Sequence, residues 1–465
     1  MIRKLSYLSS VFLLILIIIN FLINFVSLDF KINFFDILLG LLMFLYLFLI
    51  GNLISYVFNI KNISASILMY LLSFFVIDII TLFLLKTVNF NEMFLFVNFL
   101  WFVSIAFILE QKRKLLGPII SLVALKYIFI KLKNELTFNK NLTGDVEAVF
   151  FGQSKNIYEN SYYFSVNNYV MEGYPQLSSY IQSIFLQIAQ QNGEFVFYAF
   201  TSHLIFYMSI LFFLELKISK ENKLFLILTF SVFIFNSKWI QFLFTTSLMS
   251  EGIVSLFIAI GIHFVIKRIY KTKSSYSSYV ICFTLSSLYF LKQFNSLIFI
   301  LFAVCLFIFD RKNLQILLLL SGVFLKELMY RFVFIDVGKD HHIRQIDLQD
   351  TIFDLILFRD LKLNNILLIL KNLLIDKPLT ILLLVFFFSL FINIKKNKFF
   401  NPEFLTYFLT VSINFLLIFS LYVSVWKSME LDSPIRYMLN LLHVVFVSIF
   451  INLDSYKKKF IRVRK

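Results

Sequence analysis

Asp145 and Glu147 stand two residues apart in Thr143-Gly144-Asp145-Val146-Glu147-Ala148, in a hydrophilic stretch that follows a long apolar run. A carboxylate at a water–lipid boundary is partly desolvated, so its pKa rises and it can act as a general base. It could take a proton from a sugar hydroxyl attacking an activated anomeric carbon. The bland alternative is a pair of solvated loop acids. A second group closes the chain: Trp426-Lys427-Ser428-Met429 leads to Ser433-Pro434-Ile435-Arg436-Tyr437. Arg436 heads an apolar run, where a permanently charged planar fork suits a lipid phosphate. Lys427 would add a second positive charge. The alternative for Arg436 is a snorkelling anchor.

Other residues are candidate cavity lining: Lys292, Glu251, Tyr174, His341, His342 and Tyr437. Adjacent histidines do not converge easily on one metal, and no His-x-x-x-His or Glu-x-x-His partner is present. The expected metal set is therefore none. Nothing in the sequence requires a cofactor, and a divalent metal has no ligand set to support it. Charges inside apolar runs are few: Asp78, Lys126, Glu327 and Arg331 stand out. Glu327 and Arg331 have the i, i+4 spacing of a helical pair.

The elements that must position these residues follow from composition. Sixty per cent of the 465 residues are apolar, against about 45–50% in an ordinary soluble domain. A span needs roughly 20 apolar residues, so the fold class expected is an all-α polytopic membrane protein of about 14 transmembrane helices. The first, at 6–27, reads as an uncleaved span rather than a signal peptide, because no small-x-small cleavage site follows. Cys282 and Cys305 both lie in apolar runs, which excludes a disulfide scaffold. The net charge of +16 would suggest nucleic acid in a soluble chain. Here the basic residues concentrate in alternate short loops, so the charge reads as a topological signal and no nucleic-acid partner is expected.

That reading places both termini in the cytoplasm and every long loop on the outer face of the membrane. Five units result: an N-terminal five-span bundle at 1–131, an outer loop with the acidic motif at 132–194, central spans at 195–335, a second outer loop at 336–376, and C-terminal spans with a basic tail at 377–465. After Pro175, Ile181, Ile184, Phe185 and Ile188 recur at helical spacing, with Ser179, Gln182, Gln190 and Gln191 opposite. This predicts an amphipathic helix lying on the membrane surface; 364–375 carries a weaker version. No Walker pattern occurs, so an ATP-driven pump is not expected.

The motifs in order resemble the polyprenyl-phosphate-dependent membrane glycosyltransferases of the GT-C superfamily, bacterial type. Asp145-Val146-Glu147-Ala148, Gly173-Tyr174-Pro175-Gln176-Leu177, Ser250-Glu251-Gly252, Leu291-Lys292-Gln293-Phe294-Asn295 and Ser433-Pro434-Ile435-Arg436-Tyr437 carry the likeness. The resemblance implies an inverting transfer of a sugar from a lipid-linked donor to a glycan or lipid acceptor, in polysaccharide biosynthesis of the cell envelope. By it Asp145 is the base with Glu147 assisting, and Arg436 and Lys427 hold the donor phosphate. Membrane lipids are the remaining expected partner. An O-antigen-type polysaccharide polymerase and a polytopic transporter or flippase stay open as alternatives.

Overall fold

A computed structural model describes residues 34–57, 60, 62–85, 89–109, 121–122, 124–125, 152–161, 177–189, 203–237, 251–271, 282–290, 302–304, 318–322, 324–325, 366–367, 370–371, 374–396, 402–424 and 438–463. The described residues form helices. In chain order they are α1 (Phe34–Val57), α2 (Ile63–Leu85), α3 (Phe90–Leu109), α4 (Gly152–Glu159), α5 (Leu177–Ala189), α6 (Ile205–Glu215), α7 (Lys220–Asn236), α8 (Glu251–Lys271), α9 (Lys377–Lys396), α10 (Pro402–Ser424) and α11 (Leu442–Val463). A 3-10 turn, Ser287–Phe290, lies between α8 and α9.

Two helices act as hubs. α2 touches α1, α3, α5, α6, α8 and the 3-10 turn, and α11 touches α7, α8, α9 and α10. α8 joins the hubs by touching both. The α2 hub is built from aromatic rings. Phe74 stacks on Phe94 at 5.2 Å, and Tyr180 meets Phe75 and Phe90 edge-on. Such pairs add about 0.5–1.5 kcal/mol each beyond burial. The α1–α2 contact needs Gly51: a Cβ there would sit 2.5 Å from the Ile67 side chain and 3.1 Å from the Ile63 carbonyl.

Polar ties register the helices. Tyr70 Oη donates to Asn98 Oδ1 at 2.8 Å, and Trp101 Nε1 donates to Ser73 Oγ at 2.9 Å, locking α3 to α2. His263 Nδ1 and Tyr407 Oη, 2.6 Å apart, link α8 to α10.

The architecture corrects the expectation of about 14 transmembrane helices. Among the described residues two helices are long and apolar enough to cross a membrane, at Leu38–Tyr56 and Ile63–Leu82, and the second is mostly covered by protein. Six further apolar stretches, such as Phe90–Ile105, Ile205–Glu215 and Leu442–Asp454, run 10–17 residues. An apolar run marks a helix but does not say that it spans. The cytoplasmic termini and outer-face site of a multi-pass inner-membrane protein rested on that count, and fall with it.

The surface helix expected after Pro175 is also corrected. α5 forms there, yet Ser178, Ser179, Gln182 and Ser183 are all buried. α4 covers the polar stripe: Ser154 Oγ donates to Gln182 Oε1 at 2.9 Å, and Ser183 Oγ donates to the Ser154 carbonyl at 2.8 Å.

Candidate functional site

Of the residues expected to carry chemistry, Asp145, Glu147, Tyr174, Lys292, His341, His342, Lys427, Arg436 and Tyr437 lie outside the described residues. So do Lys126, Glu327 and Arg331. Glu251 is the first residue of α8, and only its backbone is described. Asp78 is buried in α2, within hydrogen-bond reach of the Tyr180 hydroxyl.

The described polar groups that converge are different ones. Glu215 ends α6, and its carboxylate meets the start of α2. It accepts from the Ile63 N–H, from the Ser64 N–H at 3.0 Å and from the Ser64 hydroxyl. The first N–H groups of a helix lack partners within it, and the helix dipole favours an anion there. Glu215 thus caps a helix 151 residues upstream of its own. Burial pushes its carboxyl up to about 7, although the three hydrogen bonds and the Lys267 charge pull the other way. Lys223, which donates to the Leu214 carbonyl, is drawn down by burial and held up by Glu215.

Two more carboxylates cap helices. Asp454 of α11 accepts from the Ser219 N–H at 2.7 Å and from Asn222 Nδ2 at 3.1 Å, at the start of α7. Asp376 accepts from the Leu379 N–H at 3.1 Å, opening α9, and from the Ser237 hydroxyl at 2.7 Å, closing α7. Asp376-Lys377-Pro378 is a legible start signal, with the capping acid just before the helix and Pro in its first turn.

His443, at the start of α11, sits wholly buried between two serines. Ser209 Oγ donates to the Ile205 carbonyl at 2.7 Å, so its oxygen accepts from Nε2–H at 2.8 Å. Ser255 Oγ then donates to Nδ1 at 2.8 Å and accepts from the His443 N–H at 3.2 Å. The network assigns the neutral Nε2–H tautomer. Burial among Phe213 and Phe230 pushes its pKa down to about 3. The serines lie 234 and 188 residues away in sequence, so no local spacing announces them.

These junctions join helices, and each polar atom faces another helix rather than a cavity. The small cavity between α9, α10 and α11 measures about 10 Å³ and is lined by Leu382, Phe415, Met438, Leu442 and other apolar residues. It holds about one water and no substrate. Among the described residues no three His, Cys, Asp or Glu side chains stand together as a metal site would require.

The remaining feature is on the outside. α3 buries Met93, Phe94 and Val97 but exposes Leu95, Phe96, Phe99, Phe102 and Val103, with Phe99 60% exposed. α7 buries Leu226, Ile227 and Phe230 but exposes Leu224, Phe225, Leu228 and Val232. α9 buries Leu379, Leu382 and Phe386 but exposes Ile381, Leu384, Val385 and Phe388. Each helix is apolar all round, with one face covered and the other bare. A water-facing helix normally carries polar residues there.

No protein-family model matches the chain, and no curated protein or solved structure does either. The resemblance to the GT-C glycosyltransferases therefore gains no relative to stand on. The described helices, of which two are both long and apolar enough to cross a membrane, do not form the polytopic architecture it implies. The glycosyl-transfer function in polysaccharide biosynthesis, with its polyprenyl-phosphate donor, and the multi-pass polymerase and transporter alternatives are corrected on the same grounds.

Proposed function

We propose that the protein is a lipid-contacting helical protein, whose bare faces on α3, α7 and α9 are covered by acyl chains. The observation that carries this is that all three helices are apolar on both sides. Fifteen large apolar side chains on these helices are exposed, whereas a contiguous apolar patch beyond a few hundred Å² on a soluble monomer marks a contact site. At about 25 cal/mol per Å² of apolar surface removed from water, covering such faces is strongly favourable. Membrane lipid is the partner of matching chemistry. A second reading, self-association through the same faces, is an outcome of the test.

The experiment is flotation of the full chain with neutral phosphatidylcholine vesicles after a high-salt wash. Apolar contact is not screened by salt, so the protein is expected to float in both low and high salt. A protein that stays at the bottom of the gradient overturns the reading, whether as a monodisperse monomer or as a defined oligomer.

A further inference from the structure

The start of α7 joins a charged corner to one of the bare faces. α6 ends at Glu215, and α7 begins at Lys220 after a short turn. Lys217 and Lys220 in this turn are exposed, as is Glu221, while Lys223 is drawn inward onto the Leu214 carbonyl. One turn further, Leu224 and Phe225 are exposed, at 53% and 59%, and Leu228 and Val232 continue the stripe at i+4 and i+8. The order along the helix is therefore lysines first, apolar side chains next.

Asp454 of α11 binds the Ser219 N–H, which places that part of α11 beside the corner. Asp454 itself is buried and occupied by Ser219 and Asn222. Lys217, Lys220 and the half-buried Lys223 outnumber Glu221 there, so the corner is cationic beside an apolar stripe, the arrangement that matches an anionic headgroup above its acyl chains.

The geometry points to a seat for an anionic phospholipid at the α6–α7 corner. Lys217 and Lys220 take the phosphate oxygens, and Leu224, Phe225 and Leu228 take the acyl chains. This rests on the lipid-contacting reading and adds the headgroup class and its place.

The test uses the full chain in a neutral detergent, titrated with phosphatidylglycerol, phosphatidylcholine or inorganic phosphate while Tm is followed. A ligand that binds the folded state raises Tm. Phosphatidylglycerol is expected to raise it at lower concentration than phosphatidylcholine, and phosphate alone to leave it unchanged. Each lysine near an anionic surface is worth about 1 kcal/mol, so the K217Q/K220Q double variant should shift the phosphatidylglycerol midpoint by about thirtyfold. K217R/K220R should restore it. The double variant's Tm without lipid checks that it folds as wild type.

Equal midpoints for the two lipids overturn the seat but leave the apolar contact standing. An unchanged midpoint in K217Q/K220Q also overturns the seat, and so does a rise with phosphate alone. If neither lipid raises Tm and neutral vesicles do not float, the lipid-contacting reading itself fails.

Discussion

Glu215 gives a pH dependence whose sign can be worked out. Its folded carboxyl titrates at about 7, against an ordinary value of 4.5. Between these values the folded state holds more protons than the unfolded one. Stability therefore falls as pH rises from about 4.5 to about 7 and levels off above. His443, pushed down from 6.5 to about 3, acts in the opposite sense below pH 6.5. Comparing Glu215→Gln with wild type isolates the carboxyl: the Tm of wild type relative to the variant should fall between pH 5 and 7. Parallel curves would sink that account. Ser255→Ala should cost about 1–3 kcal/mol, because it removes the hydrogen bonds that Ser255 makes to the buried imidazole and to the His443 N–H. Chemical denaturation measures that loss. Sequence alone does not disclose such sites. Glu215 reads there as a loop acid beside a lysine-rich turn, and His443 as a lone histidine in an apolar run. What makes each of them matter is a partner brought in by the fold.

At the scale of the helix, α3 separates two roles that look the same in sequence. Phe94 stacks against Phe74 and is buried, whereas Phe99, five residues on, faces outward. Phe94→Ala should cost about 3–5 kcal/mol through the cavity it leaves. Phe99→Ser should leave stability within about 0.5 kcal/mol and weaken retention on vesicles instead. Denaturation and flotation of the two variants give the comparison, and a reversed pattern would contradict the assigned faces. Helix positions are largely legible in the apolar runs: the runs at 35–58, 64–85 and 91–109 are α1, α2 and α3 within a residue or so. What covers a face is not legible. The Ser179–Gln182 side of α5 has the pattern of a water-facing stripe, yet α4 supplies Ser154 to meet it. Periodicity defines two sides of a helix, and tertiary contact decides what each side meets.

For the whole molecule, the starts of α2 and α7, the end of α6 and the Asp454 turn of α11 converge. The contacts of Glu215 with Ile63 and Ser64, and of Asp454 with Ser219, fix that convergence. Asp454→Ala should loosen it, with a cost of about 1–2 kcal/mol for the lost cap. The loss should appear first as faster amide exchange at the start of α7, and exchange that accelerates evenly over all helices would argue against a local junction.

Capping acids borrowed from distant helices also impose a timetable. α2 can be synthesised whole, but its first turn stays open until residue 215 has emerged. The wait is longer for α7, because 235 residues separate Ser219 from Asp454. At about 5–20 residues per second, that is roughly 10–50 s during which the opening N–H groups of α7 depend on water or on a helper. The capping of α7 is therefore completed only by α11, and a ribosome that stalls before Asp454 leaves an early helix as well as a late one incomplete.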